Sequence, residues 1–187
     1  MITSTIVVAS VVVLLLSMIT VILRLRLRGY NALSGTPPIP IWALLTGKIA
    51  MAIPIVTLLV SALGWRVGPQ VPSELQWLAM VLLLAGLGFA IPSLFQLGEE
   101  LRFGLSEAQT ATLKSAGLYR VSRNPLYLGF YLIAIASCLY VPYWANISLA
   151  LLAIAIHHQI ILSEERFLRR QFGGTYDHYA RQVRRYL

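Results

Sequence analysis

From Ile6 to Leu23 the chain runs for eighteen positions without a charged side chain. As a helix, that length sits near the lower limit for crossing a hydrocarbon core of ~30 Å. No positive segment precedes the run, and Arg24, Arg26 and Arg28 follow it, which is the pattern of a membrane anchor rather than a secretory signal. Four further apolar runs lie at about Ile41–Leu63, Leu75–Leu97, Pro125–Val141 and Ile147–Leu162. The second contains Lys48 near its start and Pro54 in its middle, where the missing amide hydrogen predicts a kink. Charged residues make up only 12% of the chain and hydrophobic ones 58%, whereas a soluble domain carries about 25% charge. The expected fold is therefore all-α: an integral membrane bundle of about five transmembrane helices. The last two form a helical hairpin around the tight turn 141–146, and a cytosolic, amphipathic C-terminal helix follows, broken at Gly173-Gly174. With no long internal repeat, residues 1–187 read as a single domain, with the site confined to about 86–187.

The net charge of +8 does not point to nucleic acid, because the basic residues flank apolar spans instead of forming one patch. With the amino terminus outside, fourteen of the fifteen Lys and Arg fall on the inner side, and only Arg66 stays outside. The polar clusters then face the cytoplasm. The single cysteine, Cys138, excludes an intrachain disulfide and a cysteine-based zinc site. Three histidines are too few for a histidine-rich iron site, and no metal is expected. Asn146-Ile147-Ser148 matches a glycosylation sequon but abuts a span and reads as chance.

Two polar clusters close neighbouring spans. The first is Arg120, Arg123, Asn124, Pro125 and Tyr127. Pro125 suits the first turn of a helix and Asn124 its N-cap. The helix start and its two arginines make an anion site for a carboxylate or phosphate, although arginines snorkelling to headgroups explain the same residues. The second is Glu164-Glu165. One acid can face the bundle and accept from an ammonium or a ribose diol, while the other pairs with Arg166, Arg169 or Arg170. Ionisable residues at the ends of spans mark function by default. His157 and His158 lie seven residues before the acids and share their helix faces. Gly86-Leu87-Gly88 in the third span reads most simply as close helix contact.

Taken in order, Gly117, Tyr119, Arg120, Arg123, Asn124, Pro125, Tyr127 and Gly129, then Glu164, Glu165 and Leu168, then Phe172, Gly173, Tyr176 and Tyr179 form linked motifs. In these residues the chain resembles the isoprenylcysteine carboxyl methyltransferases and the related phospholipid methyltransferases, over about Gly86 to the C-terminus. The resemblance implies a cytosol-facing S-adenosylmethionine pocket and a lipophilic methyl acceptor entering from the bilayer. Carried over by residue, it implies cofactor binding by Gly86, Gly88, Thr112, Leu113, Lys114, Tyr119, Asn124, Pro125, Leu126, Tyr127 and Glu164. Arg120, Arg123 and Glu165 are expected at the reacting end. Two positions depart from the carboxyl methyltransferase pattern. Asn124 stands where that branch has His, and Ile160 stands where it has a substrate-orienting arginine. The expected activity is methyl transfer to an isoprenylcysteine-like carboxylate or a related lipid, with phospholipid amine N-methylation as the alternative. Readings of another class are an NADPH-dependent lipid or steroid reductase and a non-enzymatic lipid-binding membrane protein.

Overall fold

A computed structural model describes residues 2–29, 37–65, 67–98 and 113–187. The described residues are helical, without strands: α1 (Ile2–Leu27), α2 (Ile41–Ala62), α3 (Ser73–Leu97), α4 (Pro125–Tyr140), α5 (Trp144–Phe172) and α6 (Gly174–Gln182), with a 3-10 turn at Gly117–Arg120. α1, α2, α3 and α5 are long and apolar enough to cross a membrane, and α4 is a shorter apolar helix. Large apolar side chains point outward from every span, among them Leu16, Trp42, Val56, Val81 and Leu151. Helices that are apolar on all sides belong in lipid, and the protein is an integral membrane protein.

α4 lies inside the bundle, against α3 on one side and against α2 and α5 on the other. Its contact with α3 depends on two glycines. A Cβ on Gly129 would lie 2.6 Å from the Gly86 carbonyl oxygen and 2.6 Å from the Ala90 nitrogen, and a Cβ on Gly86 would lie 2.8 Å from the Gly129 oxygen. Backbone atoms cannot step aside as side chains can. Gly129→Ala is therefore expected to cost about 1–3 kcal/mol through overpacking. A lowered unfolding midpoint in detergent checks this. Gly88→Ala, where nothing lies within 4 Å of the added atom, should not lower it.

The α4–α5 connection is tied by Asn146, whose Nδ2 donates to the Ser137 and Val141 carbonyls at 3.2 and 3.0 Å. Asn146 is buried, so its sequon is a structural position. Ser137 donates in turn to the Pro54 carbonyl at 2.6 Å, joining the hairpin to α2, which continues as helix through Pro54.

The apolar run of the fifth span ends near Leu162, and the amphipathic segment after it continues the same helix unbroken to Phe172, because no Gly or Pro interrupts it and Glu, Arg and Leu favour helix. It ends where expected, at Gly173 with φ +51°.

Candidate functional site between the start of α4 and the polar end of α5

Pro125 opens α4 at its first position and Asn124 occupies the N-cap, as the residue types suggest, but the Asn124 side chain makes no cap bond. Its Nδ2 donates instead to Glu165 Oε1 at 3.4 Å and to the Arg185 carbonyl at 3.2 Å. Capping is thus exchanged for a tertiary contact.

Glu165 is the hub of an ion-pair group. Arg123 Nη2 approaches its Oε1 at 3.2 Å, and Arg185 donates from Nε to Oε1 at 3.1 Å and from Nη2 to Oε2 at 2.8 Å. The forked Arg185 contact is the strong, directional kind, and it raises the Arg185 pKa further. The expected partners Arg166, Arg169 and Arg170 are not used by Glu165. Arg169, one turn after Glu165 on α5, pairs instead with Asp177 on α6 at 2.7 Å.

Glu164, one residue earlier, points elsewhere. It accepts a hydrogen bond from the Tyr127 hydroxyl at 2.9 Å. No basic side chain pairs with it among the described residues. Successive helix positions are about 100° apart, so one acid meets the arginines and the other meets α4.

α6 and the residues after it hold the group together. The Arg123 N–H donates to the Arg184 carbonyl at 2.9 Å, and Arg123 Nη1 donates to the Ala180 carbonyl at 3.3 Å. Ser122 donates to the Arg185 carbonyl at 3.2 Å. The Tyr186 hydroxyl lies 2.7 Å from His158 Nδ1, and its ring lies against Tyr131. Residues 184–186 thus form a strap across the start of α4 and the face of α5. α6 is fastened below by the buried Tyr176 and Tyr179. The Tyr179 hydroxyl donates to the Tyr119 carbonyl at 2.6 Å. Burial pushes the Tyr179 phenol up to about 12 and raises that of Tyr119, so both phenols remain neutral.

Of the residues expected at the site, Arg123, Asn124, Tyr127, Glu164 and Glu165 converge. Tyr119 and Pro125 are buried beside them. Leu126 turns the other way, onto the Val21, Leu25 and Leu94 cluster. Gly86 lies in the α3–α4 contact, and Gly88 faces open space. Leu113 and Lys114 are partly exposed and Arg120 is exposed. Among the described residues these three make no hydrogen bond or ion pair with the cluster. Thr112 lies outside the described residues. Sequence reasoning missed Arg185 and Tyr186, which looked like ordinary members of a basic tail. The available signal was Tyr186 itself, an aromatic directly after two arginines.

A lipid-embedded helical bundle with an acid, tyrosine and arginine cluster at the end of two adjacent helices defines a membrane protein with a polar site at its surface. Residues 75–175 match the phospholipid methyltransferase family. That is more than half of the 187 residues, and the chain belongs to this family. It is a membrane methyltransferase acting on lipid-related substrates. No curated protein and no solved structure matches it. The matched stretch includes Tyr127, Glu164 and Glu165 and ends before the strap.

Proposed function

We propose that the protein transfers the methyl group of S-adenosylmethionine to a lipophilic acceptor at the inner ends of α4 and α5. One observation carries this reading. Of two adjacent acids, Glu165 is neutralised by Arg123 and Arg185, while Glu164 has a tyrosine hydroxyl and no cation. Holding a partly buried carboxylate without a cation is costly, and a positively charged ligand removes that cost. S-adenosylmethionine carries an ammonium and a sulfonium. Its carboxylate suits the start of α4, where the first-turn N–H groups have no side-chain cap.

When bound, the cofactor supplies a methyl group activated for in-line displacement. The chain supplies placement and charge. Glu164 and Tyr127 hold the cationic portion, the Arg123–Glu165–Arg185 group keeps the strap closed over it, and alignment provides much of the rate. At the position of the substrate-orienting arginine, Ile160 is buried, so no cation stands there to hold a carboxylate acceptor. The distribution of Lys and Arg supports an outside amino terminus and a cytoplasmic site. All the helices serve this one site as a single domain.

Titration of the purified protein in detergent with S-adenosylhomocysteine, with NADPH as control, tests the reading. Micromolar binding of the first alone is expected. Binding of NADPH alone would move the protein to the reductases, and binding of neither would leave a lipid-binding protein without this cofactor.

A further inference from the structure

α1 ends in a stripe that mixes two kinds of side chain. Val21, Arg24, Leu25 and Arg28 follow one another at helical spacing and share one face. Arg28 lies just past the helix, yet its N–H still donates to the Arg24 carbonyl at 3.2 Å, so the face continues through it. This face meets the end of α3, and between them lies a cleft of about 190 Å³. Its floor is the buried apolar cluster of Val21, Leu25 and Leu94, backed by Leu126 of α4. Arg24, Arg28 and Phe95 line it as exposed side chains. The Arg24 guanidinium carbon lies 5.7 Å from the centroid of the Phe95 ring, a cation–π distance that steadies a long side chain at the cleft. No carboxylate pairs with Arg24 among the described residues.

We propose that this cleft between the ends of α1 and α3 binds the phosphate of an anionic membrane phospholipid, with the apolar part of the lipid on the Val21, Leu25 and Leu94 floor. Depth supports this. Arg24 is the first charge after eighteen uncharged residues, which puts it at the boundary between hydrocarbon and headgroups. The chemistry fits as well, because a guanidinium offers paired donors that match phosphate oxygens, and basic pockets between membrane helices take anionic headgroups in this way. Sites that enclose a whole small molecule measure about 300–1,000 Å³, so a cleft of about 190 Å³ takes a headgroup and not a nucleoside cofactor. The apolar floor favours a lipid over free phosphate. Two arginines repel a headgroup that carries its own cation, so a lipid of net negative charge is preferred. This lipid is held and not methylated. Leu126 turns to the floor of the cleft while the next residue, Tyr127, turns to Glu164, so the first turn of α4 separates the two places. The inference does not depend on the cofactor reading. Arg26 supplies an internal control: it stands about 200° around the helix from Arg24 and does not line the cleft.

The test is native mass spectrometry of the protein released from a neutral detergent and titrated with dioleoyl phosphatidylglycerol, dioleoyl phosphatidylcholine or inorganic phosphate. Wild type is expected to retain phosphatidylglycerol more tightly than phosphatidylcholine, which has the same chains, and to retain no inorganic phosphate. Arg24→Gln should weaken the first phosphatidylglycerol by about 10- to 100-fold, the range for losing one hydrogen bond to a charged group. Arg26→Gln removes the same charge and should weaken it by at most about fivefold, the size of a general attraction to an anionic surface. Equal losses in the two variants would reduce the effect to that general attraction and overturn the inference. So would equal retention of the two lipids, or retention of inorganic phosphate as tight as that of phosphatidylglycerol. Unfolding midpoints without added lipid check that the variants fold. If Arg24→Gln does not fold, Arg28→Gln takes its place against Arg26→Gln: a larger loss in Arg28→Gln supports the cleft, and equal losses overturn it.

Discussion

Glu164→Gln is expected to weaken S-adenosylhomocysteine binding by about 1.5–3 kcal/mol, roughly 10- to 100-fold in Kd, the range for a hydrogen bond to a charged group. The amide can still accept from Tyr127, whose hydroxyl donates to Glu164 at 2.9 Å, so local packing should survive. What disappears is the negative charge that meets the ligand's ammonium. Calorimetry with wild type and variant side by side measures the difference. The fold should be unharmed or slightly more stable without ligand, because an uncompensated carboxylate has been removed. An unchanged affinity would show that Glu164 does not contact the ligand, and the proposed pocket would have to be abandoned.

Glu165→Gln should behave in the opposite way, with its main effect on stability. The substitution leaves Arg123, whose side chain is 13% exposed, without its counter-ion, and releases the forked contact from Arg185. Removing one member of a buried ion pair costs about 3–5 kcal/mol. The Arg185 side chain is 35% exposed, so solvent takes over part of the loss and a cost of about 3 kcal/mol is expected. The unfolding midpoint should fall, and trypsin should cut after Arg184 and Arg185 sooner than in wild type because the strap is loosened. In the Glu165→Gln background, Arg123→Ala should cost much less than it does alone, since both substitutions break the same contact. If Glu165→Gln left both midpoint and cleavage unchanged, the strap would be held by its backbone bonds alone. Comparing the two variants separates a binding acid from a structural one at adjacent positions.

Much of the architecture is legible in the chain because it depends on properties that accumulate locally. A run of eighteen uncharged residues is a span whatever its neighbours are. Pro125 begins a helix and Gly173 ends one for backbone reasons confined to a few residues. The pairing of α3 with α4 was only hinted at by Gly86 and Gly129, since a glycine permits close approach without naming its partner. That span and amphipathic segment share one helix, α5, is not legible from hydropathy, because the apolar run stops at Leu162 while the helix does not. Hydropathy reports the solvent around a segment, and helix formation answers to backbone and side-chain propensity.

The site divides along the same line. The residue types were sufficient to bring Arg123, Asn124, Tyr127, Glu164 and Glu165 under suspicion, because charge at the end of a span is expensive and persists only for a reason. Sequence could not assign the two acids. Adjacent positions on a helix point about 100° apart, and which direction meets α4 follows from how α5 is rotated against its neighbours. It also follows from the return of residues 184–186, some twenty positions later, to neutralise Glu165. The chain by itself determined a membrane-embedded helical bundle with a charged cluster where its last two spans meet the membrane surface. Only the packing decided that Glu165 meets Arg123 and Arg185 while Glu164 meets Tyr127, because a charge finds its counter-ion in space and not along the chain.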